Sequence, residues 1–184
     1  MSVPYYAPPS DVPTPNVLPV NHGFAATWSH FSNVNWGSAT GPAANQAIYV
    51  PFYVTERKSW DRGFWFNGSV ATNAGNASVG VYDTAGNQRA TTGNVAASGN
   101  SIIQTAVFTA SVTLDPGTYY MAIEFSASGV NSTTGWAASA ISGRLIGAYT
   151  QAVGSNPLPA TATFATWSSM VIPVYGISAL GFAI

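Results

Sequence analysis

The chain has 184 residues, no cysteine, and only five basic and six acidic side chains, for a net charge of −1. That balance offers no basic footprint for nucleic-acid phosphates, no disulfide framework and no thiolate metal site. A free soluble domain ionises about a quarter to a third of its surface. This surface is instead Ser, Thr, Asn, Gly, Ala and aromatic rings, which suits a component of an assembly whose neighbours cover it.

The first segment, 1–20, carries Pro4, Pro8, Pro9, Pro13, Pro15 and Pro19. Proline fixes φ and removes amide donors, so neither a helix nor a central strand forms here. The expectation is an extended arm with a reach of about 60 Å. It is either a tail or an arm lying on a neighbouring subunit. The adjacent Tyr5 and Tyr6 favour the second reading, since tyrosine supplies apolar area with a polar handle. The start of the chain has no basic, then apolar, leader pattern. Residues 21–45 are expected to connect irregularly, with one short strand near 24–28.

A β-domain over 46–178 follows. AIYVPFYV at 47–54 is a strand, with Pro51 marking an edge or a bulge. Glu56, Arg57, Lys58, Asp61 and Arg62 concentrate charge in one loop. That loop is either simply solvated or a docking patch in which Arg57, Trp60 and Arg62 meet a neighbouring subunit. In the next strand, 64–70, alternation puts Trp60, Phe64, Phe66 and Val70 on one face and Trp65, Asn67 and Ser69 on the other. Trp65, Trp136 and Trp167 are candidates for burial between subunits or, alternatively, for stacking on a glycan. A strand at 78–83 turns through Asp83 to Asn87, with Gly86 available for a left-handed position, and returns at 88–92.

The clearest alternation lies in 105–126. Ala106, Phe108, Ala110, Val112 and Leu114 interleave with Thr105, Val107, Thr109, Ser111 and Thr113, giving a nearly all-hydroxyl outer face. After Asp115-Pro116-Gly117-Thr118, a type II turn pattern, Tyr119, Met121, Ile123 and Phe125 alternate with Tyr120, Ala122, Glu124 and Ser126. A tight hairpin would pair Leu114 with Tyr119 and Phe108 with Phe125. The twist of a type II turn is wrong for a two-residue hairpin, and the alternative is a corner arching between two sheets. Strands at 141–151 and 169–175 complete about eight, the count of a sandwich or jelly roll. The apolar end, 170–184, is shorter than the roughly 20 residues of a membrane helix. It is expected as a buried strand and a docked tail over 179–184.

No catalytic motif appears: no nucleophile elbow, P-loop, dinucleotide fingerprint or zinc-protease helix. The carboxylates are scattered, with no closely spaced calcium loop. No catalytic residue, cofactor or metal ligand is assigned.

Four ordered elements carry a resemblance. They are the P-F-x-V strand, the G-x-Y-D-x-x-G hairpin at 80–86, the L-x-P-G-x-Y-Y-x-A turn at 114–122, and the later LPATATFA and IPVYGIS stretches. Together they resemble small bacteriophage virion accessory proteins across roughly 46–178. The resemblance implies an all-β, jelly-roll-like antiparallel sandwich, here with a Pro-rich arm. It further implies a non-enzymatic place on the virion exterior after assembly in the host cytoplasm. The role is capsid decoration or a tail appendage, in a homo-oligomer with trimer as the expected number, contacting capsid or tail subunits. The competing expectation is a carbohydrate-binding module or adhesin that contacts a host-surface glycan. A hydrolase stands well behind both.

Overall fold

The computed structural model describes residues 24–27, 38–40, 43–67, 75–126, 132–138, 147–154, 156–166 and 170–179. Tyr5, Tyr6 and Trp167, the arm 1–20 and the tail beyond Ala179 lie outside them. No helix of the described residues is long and apolar enough to cross a membrane.

The strands run β1 (Phe24–Ala26), β2 (Ser38–Thr40), β3 (Gln46–Val54), β4 (Lys58–Asn67), β5 (Asn76–Tyr82), β6 (Gln88–Thr91) and β7 (Val95–Ala96). They continue with β8 (Ile102–Leu114), β9 (Gly117–Phe125), β10 (Ser132–Ala138), β11 (Tyr149–Ala152), β12 (Ala165–Thr166), β13 (Met170–Pro173) and β14 (Tyr175–Ala179). All pairings are antiparallel and form two sheets. One holds β1-β14-β4, with β8 on the far side of β4; the other holds β3-β9-β5-β6. Counting only these eight strands along the chain, the first sheet takes numbers 1, 8, 3 and 6 and the second takes 2, 7, 4 and 5. That interleaving is the jelly roll. The stretch from β10 to β13 is inserted between its last two strands. β11 and β12 widen the second sheet beyond β3, while β10 and β13, with β2, annex the end of the first.

Alternation explains the core. Ile48, Val50, Phe52 and Val54 of β3, Val79 and Val81 of β5, and Met121, Ile123 and Phe125 of β9 face Phe108, Val112 and Leu114 of β8 and Ile177 of β14. Gly63 lets the sheets approach closely: a Cβ there would lie 2.6 Å from that of Val79. Tyr175 spans the gap, its hydroxyl 3.1 Å from the Met121 carbonyl and 3.2 Å from that of Ile48.

Three expectations are corrected and one open alternative is decided. In the segment 21–45, β1 is the short strand expected near 24–28 and enters the sandwich beside β14, but β2, which pairs with β10, was not expected. The 114–119 corner is not a hairpin. β8 pairs with β4 and β9 with β3 and β5, so Leu114 lies opposite Lys58, and Tyr119 opposite Phe52. The corner therefore arches between sheets, as the unfavourable twist of a type II turn allows. Gly117 has φ 158°, nearly extended, and already belongs to β9. The charged segment is not wholly a loop, since β4 begins at Lys58. Finally, Trp60 and Trp65 share the core side despite their odd spacing. Against β14, β4 carries one inserted residue between Trp60 and Arg62, which breaks the alternation, as an inserted residue must when the side-chain period is two. Pro51 sits where β3 has run past the end of β11, so no ladder bond is lost on that side.

Candidate functional site

Trp60 and Trp65 are fully buried. Phe52 meets the Trp60 ring edge-on at 6.2 Å between centroids. Trp65 donates its indole N–H to Asn67 Oδ1 at 3.0 Å. Asn67 in turn donates to the Ser98 carbonyl and to Gln104 Oε1. Neither indole offers a face to a subunit or a sugar. The interface role expected of Trp60 and Trp65, and glycan stacking by Trp65, do not fit this placement. Trp136 is placed by its backbone, opposite Ile172 in β13.

Arg57 and Arg62 find partners within the chain. Arg57 Nε lies 3.3 Å from Asp115 Oδ1, an exposed pair linking the β3–β4 and β8–β9 corners. Arg62 Nε lies 3.6 Å from Asp61 Oδ2, yet makes no hydrogen bond. The distance and the missing bond agree on a charge contact without hydrogen-bond geometry. Lys58 stands 3.8 Å from Glu56. The structure thus brings these charges together into short local pairs.

Sequence reasoning missed a buried polar layer. The outer face of β3, β9 and β5 is covered by residues 156–164, which cross it as a strap. Leu158, Ala162, Tyr49, Tyr82 and Ala122 form a second apolar cluster there, with Tyr120, Tyr149 and Phe164 packed on it. Hydrogen bonds fix the strap. Tyr82 donates to the Pro159 carbonyl at 2.5 Å, and Gln88 Nε2 reaches the same carbonyl at 3.1 Å. Tyr49 and the Thr163 amide both donate to Gln151 Oε1. The strap also pairs with the Asp83–Asn87 turn, Ala162 N–H bonding the Gly86 carbonyl at 2.7 Å. That turn is as expected: Gly86 has φ 86°, and Asp83 Oδ1 accepts from the Ala85 and Asn87 amides. Burial raises the Asp83 carboxyl, but bonds from Asn87 and Ala85 and the charge of Arg89 together outweigh it and hold it low.

Glu124 lies under the strap, fully buried. Asn156 Nδ2 donates to its Oε2, while Glu124 Oε1 and Asn156 Oδ1 have no hydrogen-bond partner. Burial pushes the Glu124 carboxyl up to about 7, against the opposing pull of the Asn156 bond. Burial likewise raises Tyr49 and pushes Tyr82 up to about 12, so both phenols stay neutral. A protonated Glu124 could donate from Oε1 to Asn156 Oδ1, satisfying both orphan atoms with one proton. The only signals in the sequence were Glu124 itself, an acid among apolar β9 residues, and the tyrosines around it.

Among the described residues no three of His, Cys, Asp and Glu gather where they could hold a metal ion. The described large apolar side chains left open are Tyr53, Ile102, Ile103 and Val107, three of them on β8. No protein-family model matches the chain, and no curated protein matches it.

Proposed function

We propose that this chain is a non-enzymatic structural subunit on the exterior of a bacteriophage particle, as a capsid decoration protein or part of a tail appendage. The observation that carries the reading is a jelly-roll sandwich whose longest strand, β8, meets solvent with no charged side chain. Its odd-numbered face is hydroxyls plus Ile103 and Val107, the latter 61% exposed. An uncharged, partly apolar strand at a sheet edge is a liability for a free domain and an asset for a subunit. The jelly roll is a common fold of capsid domains, although it also serves lectins and cupins and carries no function by itself. The ordered elements P-F-x-V, G-x-Y-D-x-x-G and L-x-P-G-x-Y-Y-x-A supply the link to virion accessory proteins.

In this reading the chain is a homo-oligomer, and residues 1–20 reach a capsid or tail subunit. Immunogold imaging of intact particles tests it, with labelling of the exterior expected. Deletion of residues 1–20 should leave melting unchanged and abolish binding to particles that lack the protein. Absence of the chain from purified particles would remove the reading.

A further inference from the structure

Natural sandwiches protect open sheet edges with charge, proline, bulges or short strands. The ends of these sheets mostly follow that rule. β1 has three residues and β12 two, β6 has four including Arg89, and β13 has four ending in Pro173. β8 does not. It has 13 residues, IIQTAVFTASVTL, with no charge, proline or glycine. β4 pairs with one side of it, and among the described residues no strand pairs with the other. Its outer side chains are exposed over most of its length, including Ile103 at 48% and Val107 at 61%.

We infer that β8 is a self-association edge: it pairs antiparallel with β8 of a second copy of this chain across a twofold axis, joining two first sheets into one continuous sheet. The inference rests on the reading of the chain as an assembly subunit and names the surface used. A row of alternating amide and carbonyl groups is satisfied along its length only by another extended chain. A twofold contact makes a strand meet its own residues reciprocally. Any charge on such a strand would therefore face a like charge nearby. β8 meets that self-complementarity condition, since residues 102–114 carry no ionisable group. The cross-strand neighbours would be drawn from Ile103, Thr105 and Val107 on the regular stretch 102–107, β-branched pairs that stabilise antiparallel ladders. A net charge of −1 leaves little repulsion between whole copies. A foreign strand would satisfy the same amides but would give no self-association.

The test uses the full chain in four forms: wild type, Val107→Lys, Val107→Glu, and Thr105→Lys as a second variant on the same exposed face. Sedimentation equilibrium at micromolar concentration reads the mass, and thermal melting confirms that each form is folded. Wild type should contain a dimer. Each single variant should self-associate about tenfold or more weakly, because like charges would meet near the axis. An equimolar mixture of Val107→Lys and Val107→Glu should recover the dimer, a result that requires position 107 to lie near its own copy. A monomeric wild type would overturn the pairing, and so would lysine variants of unchanged mass or a mixture that recovers nothing. A trimer indifferent to these substitutions would also overturn it. That trimer, or a monomer that still binds particles, would leave the virion reading standing, so the two failures are distinguishable.

Discussion

On the outer face of β3, β9 and β5, Tyr49, Tyr82 and Glu124 are buried by residues 156–164 of the same chain. On β8, Thr105, Val107, Thr109 and Ser111 stand in water. Both surfaces belong to strands of one sandwich, and both alternate with a buried apolar row. They differ in what the chain lays over them. The insertion between β9 and β14 supplies a strap with its own apolar anchors, Leu158 and Ala162, and its own hydrogen bonds to Tyr82, Gln88 and Gln151. Nothing among the described residues does this for β8. A sheet face in a sandwich is thus inner or outer by alternation, but an outer face is dry or wet according to a third layer.

The largest expected difference is in packing. Leu158→Ala should lower stability by about 2–5 kcal/mol, the range for a buried leucine, measured by denaturant unfolding. Leu158 is only 4% exposed. If the loss is no greater than for a surface change, the strap is not part of the cooperative fold.

A second effect sharpens the contrast through pH. The folded Glu124 pKa of about 7 lies above its ordinary 4.5. Between those values the folded chain keeps a proton that the unfolded chain releases. Its stabilising contribution is therefore full below pH 4.5 and is lost as pH rises to 7. The loss is on the order of 3 kcal/mol. Glu124→Gln keeps a neutral partner for Asn156 and should flatten the dependence of melting temperature across that window. Asp83 has the opposite sign: its carboxyl is held low, so its contribution is lost only at more acidic pH. A variant as pH-dependent as the wild type would show that Glu124 is not the titrating group.

Tyr82→Phe comes next. It removes the donor to Pro159 while keeping the ring, and should cost about 1 kcal/mol. Amide exchange should show the loss concentrated in 156–164. The smallest effects belong to the open side. Val107→Ala should change stability within about 0.5 kcal/mol, as surface substitutions do. Arg57→Ala should do the same, because exposed ion pairs contribute about 0–1 kcal/mol. A large destabilisation of the monomer by either would mean that β8 or its corner is covered after all.

Much of the architecture was legible in the residues. The alternation of 105–114 and 119–125 placed Phe108, Val112, Leu114, Met121, Ile123 and Phe125 in the core, whichever strands they pair with, but Ala110, expected among them, is exposed where β8 carries extra residues against β4. Asp83 and Gly86 determined a turn, because an aspartate that accepts backbone amides and a residue free to take positive φ are local requirements. Pro51 marked a position without a neighbour's ladder bond. The scarcity of charge determined that the open surface is made of hydroxyls and small apolar groups. Other features depend on contacts between residues far apart in the chain, and only the tertiary structure decided them. Trp60 and Trp65 share one face because β4 carries an inserted residue opposite Ser178 and Ala179 of β14, a pairing with no local signature. β8 and β9 lie in different sheets because β8 pairs with β4 while β9 pairs with β3 and β5. Glu124 is buried because a segment more than thirty residues later in the chain crosses over it. Alternation is a property of one strand, whereas burial, register and pKa are set by what the rest of the chain brings against it.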